Sequence, residues 1–311
     1  MSGSDLTRRQ AWLKAVRPQT LPAAAAPVAV GVGLAVADGV FALWPAVAAF
    51  VGAALIQIGT NLANDYYDAV QGADTDAREG FTRVTQAGLI EPEQVKQGMW
   101  LTFAAAILVG SALVYIGGLP ILVIGLLSVA SGIAYTGGPY PLGYHGLGDL
   151  FVFVFFGVIA VMGTYYVQAA ATLAAPLATT IPPGTVTLTA FVASLPVAAI
   201  STNILVVNNI RDREEDATTG KRTLAVRLGY RVSRLQYVGL YGLAYLVPLW
   251  FWLGAGFSPA VLLPLVTLPL AIRLSATIWR ETRGEYLNPA LERTGKLLAL
   301  YALLFAVGLA L

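Results

Sequence analysis

The chain has no cysteine and a single histidine, His145, in 311 residues. Disulfides, thiolate catalysis, iron–sulfur clusters and Cys-ligated zinc are therefore excluded, and a metal site or catalytic triad built on histidine has too few members. Charge is scarce too: 12% of residues are charged while 57% are apolar. A soluble domain of this length carries about twice that charge. The chemistry must come from Asp, Glu, Asn, Arg, Lys and Tyr.

What the sequence has in abundance is long apolar runs, many of them exceeding the roughly 17–20 residues that cross a bilayer. They predict an all-α polytopic membrane bundle of about nine transmembrane helices, near 19–37, 44–63, 98–117, 119–136, 149–168, 186–207, 236–254, 259–278 and 295–311. With the N-terminus inside, segments 1–18, 64–97, 137–148, 208–235 and 279–294 and the adjoining helix ends hold all 19 Lys and Arg. The outer loops near 38–43, 117–119, 169–185 and 255–258 hold none. This asymmetry follows the positive-inside rule and predicts a cytoplasmic N-terminus.

Arg8, Arg9, Lys14 and Arg17 precede an apolar run ending in Ala35-Val36-Ala37, which imitates a secretory signal with its cleavage site. The run is long for such a signal. It is read instead as the first span, preceded by a short interfacial helix over 5–16 carrying Trp12. Residues 1–311 are expected to form a single domain.

Two polar clusters break the apolar pattern. Asn61, Asn64, Asp65 and Asp68 are offset by three, four and seven residues and share a helix face at the end of the second span. Asn208, Asp212 and Asp216, four apart, are expected to do the same at the end of the sixth. The echo, near 61–76 and 208–222, points to two similar halves. A lone cluster could simply solvate a helix end. Two clusters of hard oxygen donors on one side of a membrane point to magnesium, which takes one or two carboxylates together with waters and phosphate oxygens. Arg78 and Arg83 follow the first cluster, and Lys221 and Arg222 the second. Carboxylates for metal beside cations for phosphate predict a diphosphate site. Asp74 or Asp76 could also reach the metal.

These residues resemble the UbiA superfamily of intramembrane prenyltransferases, which has nine transmembrane helices and two Asp-rich motifs after the second and sixth. Asn64-Asp65-Tyr66-Tyr67-Asp68 matches the first motif and Asp212-Arg213-Glu214-Glu215-Asp216 the second. Trp12 to Pro22, Arg83 with Ala87 to Ile90, Tyr135 to Asp149, and Gly220 to Gly229 resemble the branch that prenylates 1,4-dihydroxy-2-naphthoate in menaquinone synthesis. Relatives often have Glu where Asp149 stands.

The resemblance implies a polyprenyl diphosphate donor, a naphthoate acceptor that loses its carboxylate as CO2, and a demethylmenaquinone product. Two magnesium ions would lie on Asp65, Asp68, Asp212 and Asp216, assisted by Asn64 and Asn208. Lys221 and Arg222 would steady the departing diphosphate. Tyr66, Tyr67, Tyr135 and Tyr140 are near enough to the motifs for a ring to shield an allylic cation, although each could equally be an interfacial aromatic. Asp149 could contribute to the acceptor site. An apolar tunnel between helices should hold the tail and open to lipid. The enzyme would sit in the cell's inner membrane with its site facing the cytoplasm, and no nucleic-acid partner is expected.

Other acceptors of the superfamily, such as 4-hydroxybenzoate or homogentisate, remain open. An intramembrane aspartyl protease would use Tyr67-Asp68 and Gly146 to Asp149, but those elements lie two spans apart and leave the second cluster unexplained. A secondary transporter would place its ionisable groups near the midplane rather than at one interface.

Overall fold

The computed structural model describes residues 7–71 and 83–311. Arg78, Asp74 and Asp76 lie outside the described residues. Those described form helices joined by turns and short loops: α1 Arg8–Val16, α2 Leu21–Ala37, α3 Leu43–Val70, α4 Pro92–Ala134, α5 Gly148–Phe151, α6 Ala160–Leu173, α7 Leu188–Arg211, α8 Arg213–Thr218, α9 Leu224–Leu253, α10 Leu268–Arg280 and α11 Gly284–Ala310. A π-helical stretch, Val152–Ile159, joins α5 to α6, and a 3-10 stretch, Pro259–Thr267, leads into α10.

Seven helical segments among the described residues are long and apolar enough to cross a membrane. One of them, α4, runs to 43 residues, about twice what a single crossing needs. It is a hairpin. A Cβ built on Gly132 would stand 3.5 Å from the Phe103 ring, whereas a straight helix would hold those two residues about 44 Å apart. The reversal is at Gly118, whose φ of 68° and ψ of −154° are open to glycine and whose missing Cβ leaves room for the Ala178 backbone. Helix α9, 30 residues long, is made less apolar by a buried tyrosine ladder. Tyr237 lies 3.0 Å from the Thr294 hydroxyl, Tyr245 lies 2.6 Å from that of Thr267, and Tyr301 of α11 donates to the Ala244 carbonyl.

Several helices outrun their apolar sequence at the polar end, because the Asn and Asp residues ride on the final turns rather than in loops. A short helix does precede the first span, as α1, closed at its start by a capping box between Thr7 and Gln10. It is more than a surface float. Ala11 and Ala15 are buried with Leu62, Val95, Met99 and Phe103, and Trp12 covers Gly98.

Inside a bilayer, helices gain little from hydrophobicity against each other and depend on close packing. The largest core joins α2, α6, α7, α9 and α11. Gly33 of α2 lies against the Ala306 backbone of α11, and Gly157 of the π-helical stretch lies against Ala198 of α7, where any Cβ would collide. The contact at Gly157 locks the π-helical stretch onto α7. A step of four residues overshoots an α-turn by about 40° and undershoots a π-turn by about 30°. Mixing the two keeps Phe151, Phe155, Ile159 and Gly163 on one face, where all four line an apolar groove.

Candidate active site

The polar ends of α3 and α7 meet around a cavity of about 240 Å³. Asn64 and Asp68 line it from α3, and Asn208, Asp212 and Asp216 from the α7–α8 junction. The second cluster is not on one continuous helix as the spacing predicted. Helix α7 ends at Arg211 and α8 begins at Arg213, with Asp212 at the seam. Backbone bonds from Asp212 to Asn208 and from Asp216 to Asp212 carry the four-residue spacing across it, so all three side chains still face the cavity.

Asp68 is the centre of the site's charge. It is buried, and it accepts from Arg83 at 2.5 Å and from the Tyr144 hydroxyl at 2.5 Å, with the Lys221 ammonium 3.8 Å away. Lys221 also lies 4.8 Å from the Tyr144 ring centre. Cations following each motif, Arg83 and Lys221, thus converge on one carboxylate. Asn64 accepts from the Thr136 hydroxyl at 2.9 Å. On the opposite wall Arg211 grips Asp212 with two bonds of 2.6 and 2.8 Å, and reaches Asn208 at 2.5 Å and Asn288 at 2.8 Å. The guanidinium thus bridges Asp212, Asn208 and Asn288.

Some expected site residues are elsewhere. Asp65 does not line the cavity. Its carboxylate accepts from the backbone N–H groups of Val84 and Thr85 at 3.1 and 3.0 Å and from the Thr85 hydroxyl at 2.5 Å, with Arg17 at 3.7 Å. It moors the segment that carries Arg83. The Arg222 side chain is exposed, while its backbone N–H donates to the Tyr144 carbonyl and its carbonyl accepts from Arg227. Tyr67 packs edge-on against Tyr66 and covers Gly137. Tyr140 is exposed and stacked on His145. Asp149 is buried behind the wall, accepting from Asn209 at 3.1 Å and Gln236 at 2.7 Å. Of the four aromatic candidates, Tyr135 is the one that lines the cavity.

Sequence reasoning did not find Arg17, Gln57, Thr60, Tyr144 or Arg211 as lining residues. For Gln57 and Thr60 the signal was available, because they continue the polar stripe of Asn61, Asn64 and Asp68 one turn deeper. Arg17 gives a sign visible only in structure: it holds a left-handed φ of 53° although it is not glycine.

An apolar groove of about 360 Å³ adjoins the polar cavity and shares Gln57, Thr60, Tyr135, Val152 and Phe156 with it. Its other walls come from α2, α3, the α4 hairpin and the α5–α6 stretch. The site is therefore a cavity lined by charged and polar groups, joined to an apolar groove.

Residues 24–310 match the UbiA prenyltransferase family. The chain belongs to this family. It is 37% identical to 1,4-dihydroxy-2-naphthoate octaprenyltransferase of Escherichia coli over 331 residues, covering 99% of this chain and 98% of that protein. Among solved structures, it resembles a UbiA homologue from Aeropyrum pernix with a TM-score of 0.70 at 14% identity, covering 92% of this chain and 96% of that one. It also resembles a UbiA homologue from Archaeoglobus fulgidus, bound to DMAPP and Mg2+, with a TM-score of 0.59 at 17% identity, covering 95% and 99%. The family and the fold are those the motifs implied.

Among the described residues, no three His, Cys, Asp or Glu side chains form a ready metal cage. The donors that do line the cavity are amide and carboxylate oxygens split between two walls. Such a set fits magnesium, which draws much of its coordination from water and phosphate.

Proposed function

We propose that this protein transfers a polyprenyl group from its diphosphate to 1,4-dihydroxy-2-naphthoate, with loss of CO2, giving demethylmenaquinone. The observation that carries the reaction type is the junction of a two-walled Asn/Asp cavity, crossed by Arg83 and Lys221, with an apolar groove. The acceptor is supported by 37% identity, along nearly the whole chain, to a naphthoate octaprenyltransferase.

Asn64, Asp68, Asn208, Asp212 and Asp216 are the residues that would hold magnesium, two ions in our reading. Magnesium bound there supplies neutralisation of the charge that grows on the leaving diphosphate. Arg83 and Lys221 bind the diphosphate oxygens, and Asp65 acts one step back by mooring Arg83. The groove takes the tail and leaves the allylic carbon at the junction, beside Tyr135 and Phe156. Those ring faces can shield the cation and keep water away while the electron-rich ring attacks.

The whole chain acts as one domain of two similar halves, each bringing one motif to the cavity. We read nine crossings by counting the α4 hairpin as two and adding α9. The N-terminus and the site face the cytoplasmic side of the cell membrane, supported by the basic residues gathered at that end.

Replacing Asp68 or Asp212 by alanine tests the chemistry. Each variant, purified and shown to be folded, is expected to yield no prenylated naphthoate at any magnesium level. Undiminished product from both would refute the site.

A further inference from the structure

The junction between cavity and groove holds two polar atoms that the proposed chemistry does not use. Gln57 is 7% exposed and Thr60 8%. The Gln57 Oε1 atom and the Thr60 hydroxyl are both buried with no hydrogen-bond partner. Buried polar atoms in this condition are rare and call for an explanation. Both residues line the polar cavity and the apolar groove at once.

The orientation of the Gln57 amide follows from its neighbours. The Val16 carbonyl can only accept, so the Asn61 group facing it at 2.9 Å is the amide nitrogen. That nitrogen also donates to the Thr20 hydroxyl at 2.8 Å, which in turn donates to the Arg17 carbonyl. The Asn61 oxygen then needs a donor, and Gln57 supplies it through Nε2 at 3.3 Å, with a second bond to Thr20 at 3.1 Å. With its nitrogen committed twice, Gln57 presents a fixed carbonyl oxygen to the junction. Thr60 is held beside it, across from Gly132, where a Cβ would come within 2.6 Å of the hydroxyl.

A preset acceptor at the rim of an apolar chamber is a receptor for an O–H on a flat apolar ring. We infer that Gln57 Oε1, assisted by the Thr60 hydroxyl, binds the acceptor substrate through a ring hydroxyl and fixes its orientation. The inference rests on the naphthoate reading above. In 1,4-dihydroxy-2-naphthoate the hydroxyl beside the carboxylate bonds internally to it, so the hydroxyl across the ring is the free donor. As that ring attacks the allylic cation it becomes positive, its O–H becomes more acidic, and the bond to Gln57 strengthens. The contact therefore favours the transition state over the ground state.

The experiment measures equilibrium binding of two ligands to the purified full chain. The protein is loaded with magnesium and the unreactive analogue geranylgeranyl S-thiolodiphosphate. The ligands are 1,4-dihydroxy-2-naphthoate and 1-hydroxy-2-naphthoate, which lacks the distal hydroxyl. Wild-type protein is expected to prefer the diol by about tenfold, because the mono-ol leaves Gln57 Oε1 unpaired. Gln57→Leu should bring the two affinities within about twofold. Thr60→Val removes a hydroxyl that no protein group uses, so it should fold normally and lose about threefold in diol affinity.

Equal binding of both ligands by wild type overturns the inference, whatever the stability of the variants. So does a preference that persists in Gln57→Leu. Wild-type diol affinity in Thr60→Val removes Thr60 from the site. If wild type makes prenylated product from the diol while failing these comparisons, the inference alone falls. If it neither binds nor prenylates a naphthoate, the acceptor reading falls with it.

Discussion

Asp65→Asn separates a metal ligand from a mooring post. The Asp65 carboxylate accepts two backbone N–H bonds and one hydroxyl bond from Val84 and Thr85. Hydrogen bonds to a charged acceptor contribute about 1.5–3 kcal/mol each. Asparagine keeps one oxygen, which can retain the Thr85 bonds, but turns an amide N–H toward that of Val84. Losing one charged bond, weakening two and creating a donor–donor clash should cost about 2–4 kcal/mol. Denaturant or thermal unfolding in detergent reads that loss directly. The 83–85 segment then loosens and Arg83 no longer meets Asp68, so affinity for prenyl diphosphate falls. The magnesium concentration giving half-maximal transfer should move by less than about threefold, since Asp65 does not reach the cavity. In Asp68→Asn it should rise by about tenfold or more. Wild-type stability in Asp65→Asn, together with a large rise in magnesium requirement, would make Asp65 a metal ligand rather than a mooring.

Arg211→Ala strips Asp212 of both its guanidinium bonds, an uncompensated buried charge costing about 3–5 kcal/mol. Stability of that variant should recover on adding magnesium, far more than wild type gains, as melting curves with and without the ion would show. Gly163 lines the groove with nothing within 4 Å of a built Cβ. Gly163→Phe should cut transfer from long prenyl diphosphates by about tenfold while leaving geranyl diphosphate within about threefold, seen in kcat/KM along a chain-length series. Because the chain has no cysteine, Ala175→Cys and Glu285→Cys each give a single label. An impermeant maleimide added outside cells should mark the first and spare the second if the polar end is cytoplasmic.

The sequence made the motif faces legible because a helix has a fixed period and the acids stand out against an apolar background. Asp65 shows the limit of that reading. At about 100° per residue, Gln57, Thr60, Asn61, Asn64 and Asp68 fall within an arc of roughly 100°, whereas Asp65 lies about 40° beyond its edge. A pattern search accepts it as part of the motif, but its partners Val84 and Thr85 lie 19 and 20 residues away and leave no periodic trace. Arg222 is adjacent to Lys221 in sequence, yet its side chain is exposed while Lys221 lies near Asp68, a difference that sequence adjacency does not show. The hairpin at Gly118 was visible as a Gly-Gly-Leu-Pro break. Tyr144 and Arg211 were not, because each gains its meaning only when α3, α7 and the 142–145 turn come together.

The proposed reaction is magnesium-dependent prenyl transfer to a naphthoate. Its most direct test is the purified protein with geranylgeranyl diphosphate or a longer homologue. In parallel reactions it is offered 1,4-dihydroxy-2-naphthoate and 4-hydroxybenzoate, with magnesium and with a chelator. Prenylated product and CO2 are expected from the naphthoate alone, abolished by the chelator. Product from hydroxybenzoate alone, or transfer to the naphthoate undiminished by the chelator, would contradict it.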